Sequence, residues 1–396
     1  MNQPLEKILV IDLTEALAGP FCGMMLGDLG ADVVKVERPG KGDQARGYGP
    51  PFAEGESAYF MALNRNKRSL TLNLASEEGQ GIMARLLDRA DIFLLNMPRQ
   101  SSWGKYGFDY ETVAARNPGI IYAAISGYGH TGPRAGAPGY DVIAQAESGT
   151  MSLTGEPEGQ PMRFPTPMAD MSAGLYATIG VLAALQMRNH TGRGQLVDVS
   201  LLESQVSWLA NLVPAYFLTG QPAARIGNAH PMLVPYRVYQ ARDKAFNVGV
   251  ATDRLWQRFC DTIERPDLAQ DARFKRNADR VRNRAELEPI LDAHFVQRDA
   301  AEWLRQLQAA RIPCGPVNTL PDILGDEHFL ARGGVAELSH PLVGRLKTLA
   351  NPLHFTESPV DYRRHPPLLG EHSDEILAGV GYSGDEIAAF RAAGAV

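Results

Sequence analysis

Cysteine is scarce in this chain. Cys22, Cys260 and Cys314 are three among 396 residues, far apart and with no CxxC pair, so neither a disulfide framework nor a zinc site is indicated, and a reducing compartment is expected. A basic excess is also missing. The net charge of −6 gives no electrostatic ground for a nucleic-acid or anionic-membrane partner. No run of ~18 apolar residues is evident for a membrane span. The opening MNQPLEKILVIDLT lacks a signal-peptide pattern and leads directly into a strand; the expected location is the cytoplasm. The glycine fingerprint of dinucleotide-binding folds is absent too. The first strand is followed by Thr14-Glu15-Ala16-Leu17-Ala18-Gly19-Pro20, so Glu37 is not expected to hold a nicotinamide cofactor's ribose. No permanently bound cofactor and no metal are expected. The chain shows no internal repeat and no low-complexity segment.

What is present reads as a soluble α/β chain long enough for two domains, with 39 glycines and 27 prolines marking many turns. Lys7–Leu13 is an apolar strand, Gly19-Pro20 opens a helix to about Leu29, and Asp32–Glu37 is a second strand. That is a β-α-β unit with parallel strands. A Gly/Pro-rich loop, Pro39–Glu56, follows Arg38 and carries Lys41 and Arg46. In Asn64–Leu74 a cationic stretch with Arg65, Lys67 and Arg68 feeds directly into a strand, which makes these residues candidates for contacting an anionic ligand. Further strands are Asp91–Asn96, Ile120–Ser126 and Arg193–Ser200, with helices Glu77–Ala90 and Tyr110–Arg116 between them. Asn96 falls where an α/β sheet presents its ligand-binding edge. Gly127–Asp141 is a loop in which His130 is expected to face solvent, and a helix starts near Val142. Leu201–Leu218 reads as one long apolar helix, kinked at Pro214. The pattern changes near Thr219. Antiparallel strands Tyr236–Tyr239 and Ala245–Ala251 and helices Arg254–Ile263, Arg284–Phe295 and Ala300–Arg311 indicate a smaller α+β domain. The expected layout is residues 1–219, a small domain at 220–325, and a returning segment at 326–396 with short strands and a final helix.

The centre of the chain is Arg163–Arg188. Leu175, Ile179, Leu182, Ala183 and Met187 fall near a 3.6-residue period, with small residues in most other places, so the stretch reads as a buried helix whose apolar positions face the core. Pro165 and Pro167 end any helix upstream, which puts Asp170 at the helix start. Asp170 can be read as an ordinary N-terminal cap. The alternative is chemical: small neighbours leave room beside the carboxylate, a helix N-terminus is expected to keep it ionised, and an ionised carboxylate can attack a carbonyl carbon.

Ordered motifs carry a resemblance. Asp12-Leu13-Thr14 with Ala18-Gly19-Pro20, Gly30–Arg38, Asn64–Ser69, Gly127-Tyr128-Gly129, Thr191–Gln195, Ile312–Val317 and Leu368–His372 resemble, in order and spacing, the class III coenzyme A transferases of the formyl-CoA transferase type. Ala229-His230 and Val234-Pro235-Tyr236 look most like the branch using dicarboxylyl-CoA donors. The resemblance implies that Asp170 is the catalytic aspartate, and that an acyl-CoA is a substrate rather than a resident cofactor. It implies CoA contacts at Ala18, Arg38, Leu72, Asn96, Lys105, Tyr140 and Asp141. Where formyl-CoA enzymes carry lysines, this chain has Ala75 and Pro138, and Arg65, Lys67 and Arg99 are candidate substitutes for phosphate contacts. The family's glycine-rich lid corresponds to Val248–Thr252, with one glycine. The implied fold is a Rossmann-like large domain built from both chain ends plus a small α+β domain, in an interlocked homodimer.

Two rivals remain. Racemases of the same fold place a histidine where this chain has Tyr140, and an unperturbed tyrosine, with a pKa of about 10, is a poor base at neutral pH. A CoA-binding regulator without activity would have no use for Asp170. For a dicarboxylate's distal group, Arg163, Arg225, Arg237 and His230 are candidates.

Overall fold

Six parallel strands form the framework of the computed structural model, which describes residues 3–96 and 103–396. In chain order the elements are β1 (Leu9–Leu13), α1 (Ala18–Asp28), β2 (Asp32–Glu37), β3 (Lys67–Thr71), α2 (Glu77–Leu87), β4 (Ile92–Leu95), α3 (Tyr110–Arg116), β5 (Ile121–Ser126), α4 (Asp141–Glu147), α5 (Met168–Thr191) and β6 (Leu196–Ser200). The strand order is β3-β2-β1-β4-β5-β6, every pair parallel. The strands are near-continuous apolar runs because both faces are covered. Val34, Val36, Phe93 and Tyr122 pack on one face with α2 and α3. Val33, Leu94, Ile121 and Ala123 pack on the other with α1 and α5. The chain runs from β1 to β2 and β3 on one side and then crosses to β4 on the other. The strand order therefore reverses between β1 and β4, where open α/β sheets bind ligands beyond their carboxyl ends.

The chain divides into two compact units. Met1–Thr150, Arg163–Gly220 and Leu330–Val396 form the first; Met151–Met162 and Gln221–Phe329 form the second. In the first, the expected helix Leu201–Leu218 is broken into α6 (Leu201–Val206), a 3₁₀ turn at Ser207–Leu209, and α7 (Leu212–Thr219). The break surrounds Ala210, to whose carbonyl Pro214 has no N–H to donate and which its ring crowds. The second unit holds the antiparallel strands β7 (Tyr236–Gln240), β8 (Ala245–Gly249) and β9 (Cys314–Pro316), with helices α8 (Asp253–Thr262), α9 (Arg284–Phe295) and α10 (Ala300–Ala309). The stretch Val248–Thr252 is fixed within that unit. Val248 and Gly249 belong to β8, the Val250 amide donates to Pro235 O at 2.8 Å, and Thr252 caps α8.

The tail returns to the first unit as the hairpin β10 (Val335–His340) and β11 (Gly344–Leu349), then α11 (Ser373–Gly379) and α12 (Gly384–Ala392). Buried Asp28 joins the two chain ends. It accepts from Arg65 Nε (2.9 Å) and Nη2 (2.6 Å), Asn66 Nδ2 (2.9 Å) and Asn351 Nδ2 (3.1 Å), while Arg65 Nη1 reaches Leu349 O (3.0 Å).

α5 corrects two expectations. Among the described residues it is the one helix long and apolar enough to cross a membrane, and half of its apolar window is buried. Its buried face is the small one: Ala169, Ser172, Ala173, Gly174, Ala177, Thr178, Val181, Ala184 and Leu185. Leu175, Ile179, Leu182 and Met187 face outward, Ile179 60% exposed. The reason is close approach. A Cβ on Gly174 would stand 2.6 Å from Ala18 O, so only a small-residue stripe can lie this near α1.

Candidate active site

Two clusters meet where α5 presses on α1, and Ala18 and Ala173 share one core cluster there.

The first cluster is the turn between β1 and α1, at the sheet's switch point. Asn96, at the end of β4, accepts from the Glu15 amide through Oδ1 (2.9 Å) and donates to Glu15 O through Nδ2 (2.6 Å). Arg38 reaches the Glu15 carboxylate at 3.2 Å, and its side chain is otherwise open to solvent. Ala18 begins α1, whose N-cap Leu17 supplies no side-chain bond. Three residues named from the sequence, Ala18, Arg38 and Asn96, are thus gathered around one that was not, Glu15. Burial and the neighbouring Asp43 raise the Glu15 carboxyl above its usual range, against the opposing pull of Arg38.

The second cluster is the α4–α5 junction. Asp170 lies in the first turn of α5, as the sequence implied, but it is not the cap. Asp141 takes that role from α4: Oδ1 accepts from the Ala169 amide at 2.8 Å and Oδ2 from Gln145 Nε2 at 2.7 Å. Asp170 is left with no hydrogen-bond partner among the described residues. Burial, and secondarily the Asp141 charge, push its carboxyl up to about 7. Loss of water and a like charge thus oppose the helix-end effect of ~0.3–1 kcal/mol that the sequence led one to expect.

Tyr140, just before Asp141, is exposed. Tyr48 and Tyr59 stack edge to face with centroids 5.3 Å apart. Burial raises both hydroxyls, with Asp170 contributing to each, so both tyrosines stand within electrostatic reach of that carboxylate. Sequence reasoning missed this pair; the only available signal was aromatic residues in and beside a Gly/Pro-rich loop.

Other expectations change. The Leu72 side chain is buried in the core with Leu70 and Val36, which leaves its backbone for any contact with CoA. Lys105 is exposed, and Arg99 lies outside the described residues. Arg65 and Lys67 are not phosphate ligands: Arg65 is bound to Asp28, and Lys67 Nζ to Asp12 Oδ2, Pro20 O and Asn64 Oδ1, each at 2.9 Å. Arg68 is held by Asp32 and Glu375, and Arg46 by Glu37. A cation run feeding a buried strand was here neutralised from within.

Of the candidates for a distal carboxylate, Arg225 donates to the carbonyls of Ser152, Gly159 and Glu156, and Arg237 pairs with Asp292. His230 Nδ1 accepts the Met232 amide at 3.0 Å. Among the described residues Arg163 donates only to the carbonyls of Phe164 and Pro165.

His130 is not solvent-facing. Its Nδ1 is 2.7 Å from Asp198 Oδ1 and its side chain is 6% exposed. With Trp103 and Tyr122 it lines a cavity of about 230 Å³. Asp198 is in register with Ala124, whose side chain lies on the α2/α3 face, whereas α5 packs on the opposite face. His130 therefore cannot act as a second base across a substrate from Asp170. Among the described residues no three His, Cys, Asp or Glu side chains are grouped to hold a metal ion.

Comparison with known proteins bears on what this geometry serves. The model of CoA-transferase family III matches residues 5–373. The succinyl-CoA:glutarate CoA-transferase of Mus musculus is 39% identical over 379 residues, 96% of this chain and 86% of that protein. The succinate–glutarate CoA-transferase of Agrobacterium fabrum is 38% identical over 381 residues, 95% of each chain. A crystal structure of a CAIB/BAIF family protein from Brucella suis, 38% identical, has the same fold at a TM-score of 0.84, over 96% of this chain and 100% of that one. The chain belongs to CoA-transferase family III and is an enzyme of that family.

Proposed function

We propose that the protein moves coenzyme A from a dicarboxylyl-CoA, with succinyl-CoA the first donor to test, to a carboxylic acid through covalent intermediates on Asp170. The observation that carries the reading is the Asp170 carboxylate itself: largely buried, without a hydrogen-bond partner among the described residues, and one helical turn from Gly174, which packs against Ala18 O at the start of α1, while Asp141 accepts the neighbouring Ala169 amide. A poorly solvated carboxylate is a better nucleophile than a fully hydrated one, and shielding from water protects an anhydride.

Four steps follow. Asp170 attacks the thioester carbonyl and expels the CoA thiolate, giving a mixed anhydride. The thiolate attacks the aspartyl carbonyl, releasing the donor acid and leaving an aspartyl-CoA thioester. The acceptor carboxylate attacks that thioester, again expelling thiolate and forming a second anhydride. The thiolate then attacks the acceptor's acyl carbon, yielding the new acyl-CoA and restoring the Asp170 carboxylate. Each step exchanges one activated acyl bond for another, so no external energy source is needed. Ala18, Arg38, Asn96, Lys105, Tyr140 and Asp141 hold the CoA portion, and Arg163, which meets the carbonyls of its neighbours Phe164 and Pro165 and has no acidic partner among the described residues, receives a distal carboxylate, whereas Arg225 is bound to three carbonyls.

The working form in this reading is a cytoplasmic homodimer of interlocked chains. Its support is the outward apolar surface of the first unit: Ile179 and Leu175 on α5, Trp208, and Phe217 and Leu218 on α7, the last two 78% and 86% exposed. Patches of this kind are rare on monomers. Light scattering should give about twice the mass of one chain. The reaction is tested by incubating the enzyme with a panel of acyl-CoA donors and carboxylic acids and reading the CoA products by mass. With donor and hydroxylamine, a hydroxamate at Asp170 is expected. Transfer by Asp170→Asn at the wild-type rate would overturn the mechanism.

A further inference from the structure

Beneath the β1–α1 turn lies a fully buried ion pair that the four steps do not use. Lys35, on β2, is 2.8 Å from Asp43 Oδ2, both side chains 0% exposed. Such a pair is costly to bury and adds little net stability unless both groups also meet other partners. Here they do, and the partners are the turn. Lys35 Nζ donates to Thr14 O at 2.9 Å. Asp43 Oδ1 accepts from the amides of Ala16 (3.0 Å) and Ala45 (2.8 Å). Between them Asn96 takes both polar groups of the Glu15 backbone. Four consecutive backbone polar groups, from Thr14 O to the Ala16 amide, are thus held by three side chains from separate parts of the chain, Lys35, Asn96 and Asp43.

The turn needs holding. Ala16 has φ +67°, a left-handed conformation that a non-glycine residue keeps only where its surroundings impose it. A relaxed turn would move Glu15, and with it Arg38 and Asn96, and would shift the start of α1 at Ala18. The pair is itself anchored: Glu37 Oε2 accepts the Asp43 amide at 2.9 Å, and Arg46 grips Glu37 through Nε (2.7 Å) and Nη2 (2.9 Å).

We infer that Lys35 and Asp43 are positioning residues for acyl-CoA: they touch no substrate, but set the strained β1–α1 turn so that Ala18, Arg38 and Asn96 meet the CoA portion together. The inference rests on the reading of this edge as the acyl-CoA site.

The test compares wild type with Asp43→Ala, Asp43→Asn and Lys35→Met. Asp43→Ala should raise KM for the acyl-CoA donor at least tenfold, with kcat and the acceptor's KM within about threefold. Asp43→Asn keeps an oxygen for the Ala16 amide and should recover most of that loss. A purely structural role would instead lower the yield of active enzyme and kcat, with KM for the donor unchanged. Should Asp43→Ala not fold, hydrogen exchange decides on the other two. In Lys35→Met the Glu15 and Ala16 amides should exchange at least tenfold faster, while the strand amides of β1 and β4 keep their protection. Donor KM within twofold of wild type in every variant that folds, or unchanged exchange at the turn, overturns the inference. Wild type that transfers CoA from none of the donors removes the site reading, and the inference with it, before any variant is made.

Discussion

Asp170→Asn separates a nucleophile from a helix-end charge by the sign of its effect on stability. The carboxyl rises from 3.8 to about 7 on folding, from burial first and Asp141 second. A shift of ~3 units at 1.36 kcal/mol each corresponds to about 4 kcal/mol against the folded state, an upper bound because the group retains some exposure to solvent. The favourable helix-end term is only ~0.3–1 kcal/mol, so the penalty wins. The direction with pH follows from proton uptake. Below the unfolded value both states are protonated and the penalty vanishes. Between that value and about 7 only the unfolded chain is ionised, so folding binds a proton and wild-type stability falls as pH rises. Above about 7 the full penalty is present. Asparagine has nearly the same shape and never ionises. The variant should therefore be more stable than wild type at pH 8, with the advantage shrinking by about 1.4 kcal/mol per unit from pH 7 to pH 5. Thermal or urea unfolding at fixed protomer concentration, run across that range, reads it directly. CoA transfer should meanwhile fall by on the order of a thousandfold or more. A variant less stable than wild type at pH 8 would refute the electrostatic reasoning, because it would make Asp170 a favourable helix-end charge.

Three further outcomes are expected. For the wild type, kcat/KM should rise with pH to a plateau above about 8 and fall tenfold per unit below the Asp170 value of about 7, because only ionised Asp170 attacks; a flat profile from pH 5.5 to 8 would contradict this. Gly174→Val sets atoms against Ala18 O and Phe21 and should cost ~1–3 kcal/mol by overpacking while impairing transfer, as read by unfolding and rate. Asp28→Ala strands the buried Arg65 and frees Asn66 and Asn351, and should cost ~3–5 kcal/mol in denaturant unfolding.

The fold was legible where one local rule was sufficient. Asp32–Glu37 and Tyr110–Arg116 occupy the ranges their patterns indicate, because an apolar run covered on both faces and a capped amphipathic turn are each decided by their own residues. Leu201–Leu218 was not, since apolar content continues through the break and only Pro214 marked it. Nor was the buried face of α5. A period of large apolar residues normally finds the core, but here the nearest neighbour is backbone, Ala18 O against Gly174, and the small residues went inside. The motif that reads as a weak helix face is the one that made close packing possible.

The site divides along the same line. Asp170 could be found from a proline-bounded helix start, and Asn96 from a strand end; both signals are local. What could not be found is how the fold surrounds and fixes them. The Asp170 carboxylate is faced by the charge of Asp141, 29 residues earlier, which also accepts the Ala169 amide. The Arg65 and Lys67 side chains looked like ligand cations because Asp28 and Asp12, 37 and 55 residues away, were invisible as their partners. Charge in a sequence is a count of groups; charge available to a substrate is what remains after the fold has paired them. By that measure Arg38, exposed and only loosely joined to Glu15, is the cation of the β1–α1 edge left to meet an anion, while the neighbouring Lys35 is committed to shaping the turn.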